Sequence, residues 1–122
     1  MAENKQYITQ IQDNGSVMIS EEVIATIVAH AIKDVEGIVG LSVKPGSDLA
    51  EIIGKKNWGK GIKVTIAQDD TVAVDCNVII AYGQSVVTVA ANAQGAVFAA
   101  LEAMTGVQVT AVNVNVCGIS RQ

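Results

Sequence analysis

The stretch IKVTIAQDDTVAVDCNVII, residues 62–80, alternates apolar and polar side chains on both sides of a short acidic turn. Ile62, Val64 and Ile66 share one side, with Lys63 and Thr65 on the other; Val72, Val74, Cys76, Val78 and Ile80 then face away from Asp75 and Asn77. Successive side chains of a strand point to opposite faces. The pattern therefore predicts a β-hairpin with one aliphatic and one polar face, turning at Asp69 and Asp70. An aliphatic sheet face has to be covered. Helices laid on it make a two-layer sandwich, and the polar face stays wet.

Two segments supply the helices. In EEVIATIVAHAIKDVEG, Glu21 to Gly37, the residues Ile24, Ile27, Val28, Ala31 and Val35 form one stripe. Ser20 stands at the N-cap position, Glu21 and Glu22 fill the first turn where carboxylates favour the helix dipole, and Gly37 ends the helix. The second segment, SVVTVAANAQGAVFAALEAMTG (85–106), holds seven alanines and one charged residue, Glu102. A spanning helix needs about 20 predominantly apolar residues. Here the longest uninterrupted apolar run is Gly95 to Leu101, Asn92 and Gln94 interrupt the middle, and no Lys or Arg flanks the segment, so no transmembrane span is expected. Val86, Ala90, Ala93, Val97, Leu101 and Met104 recur at three- and four-residue spacing, and Gly106 follows as a C-terminal stop. The back of this helix is small and nearly uncharged. Either another part of the same domain covers it, or it is a face for self-association or docking, with Asn92 and Phe98 as contact residues.

The remaining strands are GSVMIS (15–20), IVGLSV (38–43) and VQVTAVNVNVCGIS (107–120). In the last, the apolar phase slips at Ala111, which predicts a β-bulge there or a strand that begins only after Thr110. Asn113, Asn115 and Cys117 share its polar side, and the two asparagines join the candidate contact residues. Residues 1–14 read as a flexible polar leader and 15–120 as a single domain. Residues 44–61 read as loop, with one or two helical turns begun by Ser47. The predicted class is α/β (α+β): a two-layer sandwich of order β-α-β-β-β-α-β, with two main helices on one face of a mixed sheet. The last strand follows a helical crossover and is expected to run parallel to a strand of the hairpin.

A chain of 122 residues makes one domain with one core. Half of it is apolar, but only Tyr7, Trp58, Tyr82 and Phe98 are aromatic, so Val, Ile, Ala and Leu must build that core. The net charge of −4 weighs against nucleic acid as a partner. MAENKQYITQIQDNG has no basic and apolar export pattern, so the chain is expected in the cytoplasm with both cysteines reduced. His30 is the only histidine and sits at the edge of a helix stripe, Cys76 falls on the aliphatic face, and no P-loop GxxxxGKS/T pattern occurs. No catalytic residue, metal or cofactor is expected. The most distinctive polar stretch is GKKNWGKG (54–61). Lys55, Lys56, Lys60 and the neighbouring Lys63 make up half of all Lys and Arg, with Trp58 among them. Such a loop is either solvated with its Trp folded back, or a weak binder of single-stranded nucleic acid or an anionic membrane.

Three stretches together resemble a known family. GSVMISEEVIATIVAHAIKDVEGIVGL joins a strand, IS-x-x-VI, a helix and VEGI-x-GL. GIKVTIAQDDTVAVDCNVIIAYG joins G-I-KV, an acidic turn and a strand ending in YG. ALEAMTGVQVTAVNVNVCGI carries MTG-V-x-V-x-x-VNV-x-V-x-GI. This order, over roughly residues 15 to 119, is similar to the alkaline shock / Gls family of envelope stress response proteins of Gram-positive bacteria. The resemblance implies a small cytoplasmic protein without enzymatic activity or cofactor. It also implies a link to the cell envelope, for some members through a membrane-anchoring protein; together with the uncharged helix back, the expected action is self-association, as a homo-oligomer, or docking to such a partner. The same element order is similar to iron–sulfur assembly scaffolds, but Cys76 and Cys117 fall on opposite sheet faces, so one chain could not hold a cluster with both. That likeness concerns the fold only.

Overall fold

Two serines begin the two helices among the described residues. Ser20 Oγ accepts from the Val23 backbone N–H at 3.2 Å, and Ser85 Oγ from that of Thr88 at 3.3 Å. Each satisfies one of the donors that a helix start leaves without an intrahelical partner. In the computed structural model, which describes residues 7–42 and 61–121, the elements run as follows. β1 (Tyr7–Gln12) and β2 (Gly15–Ser20) lead into α1 (Glu21–Lys33) and β3 (Ile38–Leu41). After residues 43–60 come β4 (Ile62–Ile66), β5 (Thr71–Ala81), α2 (Val86–Thr105) and β6 (Gln108–Ser120).

β5 is the axis of the main sheet. β6 runs parallel to it along one edge, from Thr71↔Gln108 to Ala81↔Ser120. Its other edge is shared end to end by two antiparallel strands: β4 from Ile66↔Val72 to Ile62↔Cys76, and β3 from Leu41↔Val78 to Ile38↔Ile80. The expected hairpin, the mixed sheet and the parallel last strand are all present. The phase slip in β6 is a bulge: Val109 pairs with Val72 but Ala111 with Ala73, which leaves Thr110 as the extra residue. A second shift leaves Cys117 extra, between Val116↔Val78 and Gly118↔Ile79.

Both helices cover the aliphatic face. Ile24, Val28 and Ile32 of α1 and Val89, Ala93, Val97 and Leu101 of α2 are buried against Val64, Val74, Cys76 and Val78. α1 ends at Lys33, earlier than expected, because the Asp34 N–H caps it on Ala31 and Ile32. Val35 still packs into the core from the turn that follows, where Gly37 has a φ of +100°. The stripe of α2 is also rotated at its ends: Val89 is buried, while Val86 and Met104 are exposed. Gly106 closes α2 as predicted, in the left-handed region with its N–H on the Leu101 and Glu102 carbonyls.

The largest departure is at the start. Residues 7–12, expected in a flexible leader, form β1 and pair with β2 from Tyr7↔Ser20 to Gln12↔Gly15. This ribbon is a separate two-stranded sheet. Ile8 enters the core, and Gln10 Nε2 donates to the Thr105 carbonyl at 2.8 Å, which ties the ribbon to the end of α2.

Candidate interaction surface

The polar sheet face does not stay wet throughout. Asn113 Nδ2 donates to Asp75 Oδ1 at 3.0 Å, and Asn115 Nδ2 to Asn77 Oδ1 at 3.0 Å, so two cross-strand pairs tie β6 to β5. Asn113 and Asn115 are exposed. Asn77 is fully buried, contrary to its expected place on a wet face, and its Nδ2 has no hydrogen-bond partner among the described residues. Ser42 N donates to the Asn77 carbonyl at 2.9 Å and Asn77 N to the Gly61 carbonyl at 2.8 Å. The chain thus leaves the sheet at Ser42 and returns at Gly61 on either side of this residue. Lys55, Lys56, Trp58 and Lys60 lie in the intervening segment, outside the described residues.

The side of the sandwich formed by α2 and β6 is of a different kind. β6 has no Asp, Glu, Lys or Arg, and α2 has only Glu102. Gln94 Nε2 donates to the Val112 carbonyl of β6 at 2.9 Å, which fixes the side of α2 that hangs over this strand. Val87, Ala91 and Phe98 share that side by helical spacing. Val87 is 79% exposed and Phe98 44%. At the far end of β6, Val116 and Ile119 are also exposed. Asn92 is exposed too, but its spacing places it on the opposite flank of α2, away from Gln94. Of the predicted helix-back residues, then, Phe98 belongs to the β6 side and Asn92 does not. The sequence singled out Phe98 but not Val87, because the side of α2 that overhangs β6 is set by Gln94, a contact no periodicity reveals. By length and composition alone α2 could cross a membrane, yet its other side is part of the core.

Among the described residues, the histidine and the two cysteines stand apart. His30 is exposed on α1, Cys76 is in the core, and Cys117 is half-buried at the second bulge with Sγ 3.7 Å from the Asn115 carbonyl. No group of three or more His, Cys, Asp and Glu side chains suited to a metal gathers among the described residues. Burial, and next the charge of Asp75, push the Cys76 thiol from 9.0 to about 12. A thiol held neutral is inert, so a thiol reagent should label Cys117 rapidly and Cys76 only on unfolding. The linkage has a definite sign. The folded chain holds this proton while the unfolded chain releases it above pH 9, so the fold should lose about 1.4 kcal/mol per pH unit over that range from this group. Urea unfolding at neutral pH and at about pH 10 should differ by about 1.4 kcal/mol from this group, nearly all of it lost above pH 8, and Cys76→Val should remove that difference. An unchanged difference in Cys76→Val would remove Cys76 as its source.

Comparison with known proteins places the chain. The model of the alkaline shock protein family, described as having a cell envelope-related function, matches residues 9–121. The uncharacterized protein YloU of Bacillus subtilis is 34% identical over 109 residues, covering 86% of this chain and 88% of its own. YqhY of the same organism is 33% identical over 105 residues, covering 86% and 77%. The uncharacterized protein Spy1535 of Streptococcus pyogenes is 35% identical over 105 residues, covering 86% and 79%. No solved structure matches. With the family pattern running from the β1–β2 ribbon through β6, the chain belongs to the alkaline shock protein family of cell envelope-related proteins.

Proposed function

We propose that this protein is a non-enzymatic, cytoplasmic component of the envelope response to alkaline or cell-wall stress. It acts by contact with other proteins, either copies of itself or a membrane-anchored partner. The observation that carries this reading is the α2–β6 side, where an uncharged strand lies beside the exposed Val87 and Phe98. Apolar groups grouped on one side, with Glu102 the single charged side chain of the two elements, suit association rather than solvation. The family's envelope-related description supports the cellular role.

The test is complementation. A strain lacking the protein should grow poorly under alkaline or cell-wall stress and recover with the wild-type chain. The Val87→Lys/Phe98→Glu chain, made to equal levels, should not restore growth. Both positions are exposed, so its melting temperature should stay close to that of the parent. Full rescue by that variant, or a deletion strain indifferent to stress, would defeat the proposal.

A further inference from the structure

Among the described residues, the side of β6 away from β5 is a strand edge with no charge or proline to protect it. Sheet edges are normally blunted by Lys, Pro, inward-pointing charges or bulges, because unpaired backbone groups recruit another strand. β6 has no charged residue and no proline, and its outer edge pairs with no strand among the described residues. Its two bulges, at Thr110 and Cys117, leave Ala111–Val116 as a stretch of unbroken register between them.

We infer that two copies of this chain pair antiparallel through the Ala111–Val116 edges of β6, so that the two main sheets become one and the two α2 helices meet above the join. The inference rests on the α2–β6 side being the contact surface, and it names what that surface meets. Three observations select a second copy. The first is symmetry: a two-fold axis normal to the sheet pairs β6 antiparallel with itself and places both α2 helices on the same face. Val87, Ala91 and Phe98, already hanging over β6, then run against the same stripe of the second copy in the opposite direction, and Ala91, near its middle, lets the helices approach. An extended peptide added to the edge would leave that helix stripe open. The second is charge: β6 carries none, and the one charge on α2, Glu102, lies a turn beyond Phe98 at the end of the stripe, far from its copy across an axis near the middle, so like surfaces repel little. The third is size. β6 spans roughly 40 Å, α2 about 30 Å, and the two layers stand about 15 Å tall. The outline is on the order of 500 Å² before side-chain relief, close to the scale of a standard interface at ~800 Å² per partner. The Gln94 bond is no obstacle. It reaches the Val112 carbonyl from the helix layer, and a carbonyl oxygen has a second lone pair for a donor in the sheet plane.

Sedimentation of the full chain over a micromolar dilution series should show a species of twice the 12.7 kDa chain mass. The Val87→Lys/Phe98→Glu chain should sediment as a monomer with an unchanged far-ultraviolet melt. Single cysteines placed one at a time at Ala111, Asn113 and Asn115 in a Cys117→Ser background should form interchain disulfides, peaking at the position nearest the axis. A cysteine replacing the exposed Lys33 of α1 should form none. A wild-type chain monomeric at every concentration overturns the pairing, as does a dimer whose β6 cysteines never link. The outcomes separate the two proposals. A monomeric wild-type chain whose double variant still fails to complement ends the pairing and keeps the functional reading, with a different partner. A lost dimer with full complementation does the reverse.

Discussion

Replacing Asn77 with Asp is expected to cost the fold about 3–5 kcal/mol at neutral pH, the scale of an uncompensated buried charge. The change is nearly isosteric, so packing is preserved and the loss is electrostatic. A carboxylate at this position is removed from water and lies on the same face as Asp75, and among the described residues the Asn115 amide is the side chain that donates to it. Its folded pKa is therefore raised above the ordinary ~3.9 of an aspartate. The penalty is then absent below that value, where both states are protonated, and grows as pH rises until the folded carboxyl ionises. Urea unfolding at about pH 7 and about pH 4.5 should show the variant recovering stability toward the acid side relative to the parent. Asn77→Leu should behave differently. Leucine has almost the same shape and removes the orphaned Nδ2, while the exposed Asn115 turns its amide to water. That change should cost no more than about 1 kcal/mol, because deleting an unsatisfied buried group offsets the lost hydrogen bond. A Leu variant as unstable as the Asp variant would show that the Nδ2 group is satisfied and the burial argument wrong.

The sequence legibly encodes whatever repeats with a fixed period. The alternation in residues 62–80 gave the hairpin and its buried side, the Ser20 and Gly106 caps bounded helix ends, and the slipped phase at Ala111 marked a real bulge. What escaped has no period. β1 places only Ile8 in the core, so YITQIQ shows no apolar stripe. The Asp13-Asn14-Gly15 turn, followed by an alternating run, was the available signal for that hairpin, and Gly15 does take a φ of +138°. The burial of Asn77 depends on two segments crossing beside it, and the overhang of Val87 depends on one amide reaching a carbonyl 18 residues away. Lys55, Lys56, Trp58 and Lys60 fall outside the described residues, so the basic-loop reading gains nothing from the fold. For the contact surface, composition revealed that the back of α2 lacks charge, but only tertiary structure showed which part of that back meets the edge of β6.

The crossing of Ser42 and Gly61 yields the other large effect. Gly61 has a φ of +80°, and a Cβ built on it would lie 2.5 Å from the Ser42 carbonyl oxygen and 3.0 Å from the Ser42 nitrogen. Both neighbours are backbone atoms, which cannot rotate away as a side chain can. Gly61→Ala is therefore expected to destabilise by about 2–4 kcal/mol, from the left-handed conformation together with the displaced chain. Gly95→Ala makes the same chemical change in the middle of α2, where nothing among the described residues lies within 4 Å of the added carbon. It should raise stability by roughly 0.5–1 kcal/mol, because alanine has less freedom to lose in a helix. Urea midpoints for the two variants should thus move in opposite directions. The Gly61 effect should also couple to Asn77, because Ser42 and Gly61 bond to either side of that residue's backbone. In a double-mutant cycle with Asn77→Leu, an interaction of at least about 0.5 kcal/mol is expected of groups sharing one network. Strict additivity would mean that the crossing can shift without disturbing Asn77. In that case the bonds from Ser42 and Gly61 are not what keep its side chain from water.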